Sequence, residues 1–278
     1  MIYVLPYTKN ISIKRKTSEN PVTIVAIMKK EQLFLQEWLD HHIALGVKKF
    51  ILYNNDTSGY KINVANDIEV YIINYAMYSQ PWTQMQAYNE ACMNLMGETV
   101  LMIDIDEFVC INPAFQKNLD QNKPLLEAAF EYFEVDALAL SWMDIGADGK
   151  INRPHGDVRE NYFMRCPKLR ATCQFKSIYR LNQKITWVYA HRAATDITLY
   201  DTDRNIVKLI KTKDLYDKIY IKHYITKSWE DWVARLKRGN FSRGLRTVGS
   251  FFDLNPDMKH LERYLTSGLN LSEFPTIN

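Results

Sequence analysis

A chain of 278 residues with 47% hydrophobic side chains can bury one large core, or a core with a small satellite. A formal net charge of +3 gives no global pull towards nucleic acid, and no such partner is expected. Cys92, Cys110, Cys166 and Cys173 show no CxxC spacing, which argues against a disulfide framework or zinc site and for free thiols in a reducing compartment.

The opening "MIYVLPYTKNISIKRK" has too short an apolar stretch for a signal peptide, with its charges on the wrong side. No run of about 18 apolar residues follows, so no spanning helix is expected. The expectation is a cytoplasmic chain, at most peripheral to a membrane. Val22 to Met28 is a continuous β-branched run and reads as a buried parallel strand. "EQLFLQEWLDHHIALG" then places Phe34, Leu35, Trp38, Leu39, His42, Ile43 and Leu45 at helical spacing, with Gly46 where a left-handed terminal residue is wanted. "KKFILYNND" and "DIEVYIINY" read as strands. "SQPWTQMQAYNEACMNLMG" reads as a helix, capped by Ser79 or Gln80, with Pro81 in its first turn and Gly97 closing it. "ETVLMIDIDEF" is a fourth strand. This alternation predicts a doubly wound α/β sheet.

Beyond Asn112 the pattern loosens. Pro124 to Phe133 reads as a helix and "DALALSW" as a strand. "GADGKINRPHGD" is a long loop, of the kind that tends to carry function. "FKSIYRL" and "KITWVYAHRA" read as a pair of strands, and "KIYIKHYIT" as another. In "SWEDWVARLKRG", Ser228 with Asp231 three residues on approximates a capping box for a helix. Aromatics make up 13% of the chain; they fill cores more often than they line sugar sites.

The stretch "VLMIDIDEFVCI" is the anomaly. An apolar strand ends in Asp104, Asp106 and Glu107, and three carboxylates that close need a positive charge. Ligands of open α/β sheets bind beyond the carboxyl ends of the strands. Residues two apart on a strand share a face, so Asp104 and Asp106 are expected to point the same way and to hold a hard divalent cation, Mg²⁺ or Mn²⁺.

The chain here resembles nucleotide-sugar glycosyltransferases of the GT-A fold, and more closely glycosyltransferase family 92 and its bacterial relatives. The resemblance rests on "KKEQLFLQEWLDHHIALGVKKFILYNNDTSG", "QMQAYNEAC", "IDIDEF", "FKSIYR" and "HYITKSWEDWVARLKRG", in order between Lys29 and Gly239. It implies a Rossmann-like, mostly parallel sheet flanked by helices, with a C-terminal extension on the acceptor side. The implied domain is 1–240, its nucleotide half about 21–112 and its acceptor half about 113–240, followed by a helical extension over 241–278. It also implies metal-dependent, inverting transfer of a sugar from a nucleotide diphosphate, UDP by expectation, to a hydroxyl of a saccharide or lipid-linked saccharide. The chain departs from the family's usual Lys-Asn-Glu at Lys29, Lys30, Glu31, and from its Trp-x-x-Phe-Gly at "WMDIG", Trp142 to Gly146.

Roles follow, each beside a plainer reading. Lys29 and Glu31 lie near the nucleotide, or simply start a helix whose dipole Glu31 favours. Asn54, Asn55 and Asp56 contact uracil or ribose, or are turn formers. The resemblance has Gln84 and Asn89 reach the nucleotide or brace the acidic loop. Asp104 contacts ribose or metal, Asp106 the metal, and Glu107 steadies the turn or an outer-shell water. His223 is a further metal ligand or a satisfied structural histidine, and His191 a rival ligand or an acceptor contact. Trp142 borders the donor sugar. Lys237 and Arg238 match a basic pair facing the diphosphate. With Arg235, Arg243 and Arg246, and with Leu245, Val248, Phe251 and Phe252 interleaved, they can also meet anionic lipid headgroups. The general base is Glu160, with Asp144 second. Two alternatives stand beside this reading. One is a phosphohydrolase of the haloacid-dehalogenase type, whose motif belongs after a first strand rather than a fourth. The other is a non-catalytic nucleotide- or carbohydrate-binding protein on the same fold.

Overall fold

The computed structural model describes residues 1–6, 22–56, 59–75, 82–167, 174–208, 213–238 and 247–269. The cap candidates Ser79, Gln80 and Pro81, together with Cys173, Arg243, Leu245 and Arg246, lie outside them. The chain divides into two compact units, Met1–Trp142 with Thr172–Lys222, and Met143–Ala171 with His223–Asn278.

The first unit is an α/β layer built on a large, mostly parallel sheet. Its first strand, β1 (Ile2–Pro6), is an edge strand paired parallel to β4 (Glu69–Asn74). Between them in sequence come β2 (Val22–Met28), helix α1 (Leu35–Ala44) and β3 (Lys49–Asn54). Helix α2 (Thr83–Asn94) leads into β5 (Thr99–Met102). Strands β2 and β3 pair in parallel, as do β3 with β4 and β2 with β5. The apolar runs that made these strands legible fill both faces, so Ile24, Val25, Phe50, Ile51, Leu52 and Val100 are all fully buried. Each such side chain contributes roughly 1.5–3 kcal/mol of transfer free energy. Gly46 takes φ +93° and Gly97 φ +89°, the left-handed closures expected after α1 and α2.

The apolar run through Ile111 is not one strand. It breaks at the acids into β5 and β6 (Glu107–Ile111), with a turn between, so the strand-alternation argument for Asp104 and Asp106 does not hold. Asn112 then caps α3 (Pro113–Gln116) by accepting from the Ala114 N–H at 2.9 Å, with Pro113 at the first helical position. Helix α4 (Leu125–Glu131) and strand β7 (Ala137–Asp144) match expectation. Strand β8 (Phe175–Arg180) enters the main sheet between β5 and β7, antiparallel to both. It therefore does not pair with the segment that follows it. That segment forms a separate ribbon of β9 (Thr186–Trp187) and β10 (Ala193–Ala194). With β11 (Ile219–His223) the sheet order is β1-β4-β3-β2-β5-β8-β7-β11-β6.

The second unit is helical. It holds α5 (Val158–Asn161), α6 (Trp229–Arg238), α7 (Val248–Leu254), a 3-10 turn (Pro256–Leu261) and α8 (Glu262–Ser267). Its core packs Trp229 and Trp232 against Phe251, Phe252 and Met258, with Ala147 beneath. The interleaved aromatics Phe251 and Phe252 are thus core, fully buried, and not a lipid-facing surface. Among the described residues no helix is long and apolar enough to cross a membrane.

Candidate functional site

The parallel register sets Met28 opposite Asn54, and Val25 opposite Met102. The segments following β2, β3 and β5 therefore leave the sheet at one edge. Lys29, Glu31, Asn54, Asn55 and Asp56 gather there, as expected of residues beyond carboxyl ends. Asp56 accepts from the Lys30 N–H and, at 2.9 Å, from the Tyr60 hydroxyl. The Asn55 N–H donates to the Met28 carbonyl at 2.8 Å. Asn54 Oδ1 accepts from the Asp56 N–H at 3.3 Å, and Asn54 and Asn55 are both buried. Burial pushes the Tyr60 phenol up first, and Asp56 adds to it. Lys30 sits at φ 53°, in the left-handed region that few side chains other than asparagine and glycine enter without strain.

The acidic turn is held from three sides. Within it, the Glu107 N–H donates to the Asp104 carbonyl at 3.1 Å, and Glu107 Oε2 accepts from the Asp104 N–H at 2.9 Å. From α1, the buried Trp38 indole N–H is shared between the carbonyls of Asp104, at 3.1 Å, and Glu107, at 2.9 Å. Trp38 is held in turn by His42. That ring's Nε2 accepts from the Val109 N–H at 3.4 Å, which leaves Nδ1 to donate to the Trp38 carbonyl at 2.8 Å. From α2, Gln84 Nε2 donates to Asp104 Oδ1 at 2.8 Å and to the Tyr88 hydroxyl at 2.9 Å. Gln84 is thus a brace of the acidic loop. Asn89, one turn further on, instead clamps Trp187: it accepts from that residue's N–H at 2.6 Å and donates to its carbonyl at 3.1 Å.

The third side supplies the positive charge that the sequence did not locate. Leu101 pairs with Ile178 in the antiparallel register, which brings Lys176 level with Ile103, just before the turn. Lys176 is fully buried, and its Nζ lies 3.0 Å from Asp104 Oδ2 and 3.6 Å from Glu107 Oε1. Burial works against its charge, but Asp104 and Glu107 more than reverse this and hold the ammonium above its ordinary range. The Tyr88 hydroxyl, 3.4 Å from Asp104 Oδ1, is pushed up by burial. Nothing within "FKSIYR" marks this lysine; only the strand pairing gives it meaning.

Trp142 and His191 join the same neighbourhood. Lys176 stands 5.8 Å above the Trp142 ring, and His191 meets that ring edge-on with centroids 4.9 Å apart. His191 Nδ1 lies 2.9 Å from the Phe175 carbonyl, so the ring is anchored to β8. Asp104, Lys176, Trp142 and His191 thus form one connected group. Asp106, also in the turn, is buried.

In the second unit, His223 and Asp144 form a pair. His223 is buried, and its Nδ1 donates to Asp144 Oδ1 at 2.8 Å. That assigns the proton to Nδ1 and makes Nε2 the ring's acceptor atom, the tautomer a metal-ligating histidine adopts beside a carboxylate. Glu160 stands exposed on the single turn of α5, and Lys237 is exposed near the end of α6. The expected cap of α6 is present. Asp231 accepts from the Ser228 hydroxyl at 2.7 Å, while Ser228 Oγ accepts from the Asp231 N–H at 3.1 Å. The buried Asp106 and Glu107 of the turn offer hard oxygen donors, of the kind that suit Mg²⁺ or Mn²⁺.

No protein-family model matches the chain. An Oryza sativa subsp. japonica protein named as a glycosyltransferase family 92 protein is 26% identical over 178 residues, covering 60% of this chain and 29% of its own. A Ricinus communis protein of the same name is 24% identical over 222 residues, covering 74% of this chain and 35% of its own. The chain is therefore similar in sequence to family 92 proteins and spans about a third of their length. Among solved structures, a Bacillus anthracis protein described as a glucose-1-phosphate thymidylyltransferase, in complex with sucrose, aligns at TM-score 0.29. Its identity is 10%, with 58% of this chain and 72% of that one covered, a likeness too weak to carry an argument.

Proposed function

We propose that the chain is a metal-dependent, inverting glycosyltransferase of GT-A type that takes a sugar from a nucleotide diphosphate, UDP for preference, to a saccharide or lipid-linked saccharide hydroxyl. The observation that carries the reading is the acidic turn, Asp104 to Glu107, clamped by Trp38, Gln84 and Lys176 beyond a central strand. So much buried support for a turn bearing the carboxylates of Asp104 and Glu107 suits a preorganised binding site better than a solvated bend. The family 92 names of the two relatives support the same class.

In this reading Asp106 would hold Mn²⁺ or Mg²⁺. A divalent ion there would supply positive charge that neutralises the diphosphate and improves the leaving group. Lys29, Glu31, Asn54, Asn55 and Asp56 bind the nucleoside, and Asp104 borders the ribose. Trp142 and His191 bound the sugar. A base takes the proton of the acceptor hydroxyl as its oxygen bonds to the anomeric carbon. The bond from that carbon to the diphosphate oxygen breaks, and the nucleoside diphosphate leaves with the electron pair. Because Asp144 is committed to His223, it serves better as that ring's orienting carboxylate, and the base falls to Glu160.

A panel of nucleotide sugars read by thermal stabilisation, with and without Mn²⁺, tests this directly. The donor should raise the melting temperature only with the metal, and Asp106→Asn should abolish the gain. Stabilisation by nucleotide alone, unchanged by metal or by Asp106→Asn, would favour a metal-free binding protein and sink the proposal.

A further inference from the structure

In the second unit, Phe163 and Met164 stand 68% and 58% exposed between Tyr162 and Cys166, whose side chains are buried. Their backbone is nevertheless fixed. Asp148 Oδ2 accepts from the Phe163 N–H at 2.7 Å, and Oδ1 from the Met164 N–H at 2.9 Å. The Met164 carbonyl accepts from the Gly146 N–H at 2.8 Å, and Ile145 bridges antiparallel to Arg165. Asp148 makes this clamp from φ 50°, in the left-handed region where residues other than glycine are uncommon. A carboxylate and a strained backbone thus hold an apolar pair out in water, which is the reverse of what stability alone favours. Glu160 lies three residues before Phe163, at most about 11 Å away along the chain.

The chemistry of the pair limits what it can hold. Both N–H groups and the Met164 carbonyl are already engaged within the protein, so the pair offers a sugar hydroxyl little and a hydrocarbon much. Arg165, exposed and next in the chain, puts a guanidinium at the edge of the apolar surface. Together the three match an anionic amphiphile, with its phosphate at the arginine and its hydrocarbon over Phe163 and Met164. We propose that Phe163, Met164 and Arg165 are the lipid subsite for the acceptor, taking the phosphate and the first hydrocarbon units of a lipid-linked saccharide and so bringing its sugar to Glu160. This rests on the proposed function for the role of Glu160, and it narrows the acceptor of that reading to the lipid-linked class.

The test uses geranyl phosphate, a soluble ten-carbon lipid phosphate, on the full chain with neither donor nor metal. Saturation-transfer NMR should place the geranyl protons against the protein, and inorganic phosphate should not bind measurably. Phe163→Ser with Met164→Ser should weaken geranyl phosphate about tenfold or more, the loss of roughly two buried methylenes. Arg165→Gln should weaken it about threefold but leave uncharged geraniol within about twofold, a split that a merely apolar surface does not give. All three side chains are exposed, so the urea midpoints should stay in place. Where the nucleotide-sugar panel yields a donor, geranyl phosphate should inhibit transfer competitively with the acceptor and not with the nucleotide. Binding that is absent, or equal in the double substitution, overturns the proposal, as does competition with the nucleotide. A chain that sediments with phosphatidylcholine–phosphatidylglycerol vesicles through Phe163 and Met164, yet ignores soluble geranyl phosphate, also overturns it and makes the pair a membrane contact. Failure of the nucleotide-sugar panel overturns the proposed function but not the lipid-phosphate site, which the binding measurements decide alone.

Discussion

Trp38 shows how much of the acidic turn is decided by a residue that touches no charge. Its indole N–H is the shared donor for the carbonyls of Asp104 and Glu107, and the side chain is fully buried. Trp38→Phe keeps most of the apolar contact but leaves two carbonyls short of that donor. The expected cost is about 1–3 kcal/mol, read from urea unfolding. A loss well below that would mean the turn is held without the indole. At this scale the sequence was half legible. Carboxylates closing an apolar run are anomalous on their face, so Asp104 to Glu107 stood out. Trp38 and His42 fit an ordinary helical stripe, and nothing local distinguishes a core tryptophan from one with a hydrogen-bonding task. Lys176 was illegible for a similar reason. In "FKSIYR" it has the ordinary look of a solvent-facing strand lysine, and only the antiparallel register with β5 buries it.

Among the elements, those with long apolar runs declared themselves, and those shaped by distant partners did not. Strand β2 is a run rich in β-branched residues, β3 carries the apolar run Phe50 to Tyr53, and α1 has a full apolar stripe closed by a glycine, so all three were readable. Strand β1 is short, at the sheet edge and only partly buried, which gives it no such pattern. The division between β5 and β6 was hidden because the apolar residues on both sides are equally good strand formers; reciprocal bonding of Asp104 and Glu107 breaks the run. The loop after β7 shows a comparable close fit. A β-carbon on Gly146 would lie 2.7 Å from Asn255 Oδ1, the atom that accepts from the Ala147 N–H at 2.6 Å. Gly146→Ala must therefore displace the side chain that ties this loop to the end of α7. The expected cost is about 1–3 kcal/mol. Combining it with Asn255→Ala should cost less than the two losses added, because both act on one contact. Strict additivity in a denaturation cycle would refute that account. At the start of α6, Ser228→Ala should cost about 1 kcal/mol by removing the Asp231 capping bonds.

For the molecule as a whole, the two units are spliced: the chain leaves the first after Trp142, returns at Thr172 and leaves again after Lys222. A linear reading takes the glycine-bearing loop after Trp142 for an insertion, and it finds no change of composition at Lys222. What the units share is a pronounced bias in their buried acidic groups. Burial pushes the Cys92 thiol of the first unit up to about 12, against a small opposing effect of the Trp187 indole N–H. Burial likewise pushes Cys166 of the second unit up to about 12, with Asp144 adding to it. Tyr53 and Tyr179, in the core of the first unit, are raised by burial as well. Each of these groups is an acid whose folded pKa lies above its unfolded value, so the folded chain retains protons that the unfolded chain gives up. The stability tied to the thiols is therefore complete below about pH 9 and is lost as pH climbs from there towards 12. Each such group contributes a slope of about 1.4 kcal/mol per pH unit within its window. Urea midpoints taken at pH 8, 9, 10 and 11 should be level over the first interval and fall progressively over the rest. Cys92→Ala should lower stability at pH 8 through the lost packing, yet flatten the alkaline decline by about one proton's worth. A parallel decline in the variant would mean that the thiol ionises in the folded core after all, and that the packing around Trp187 is looser than the contacts at Cys92 imply.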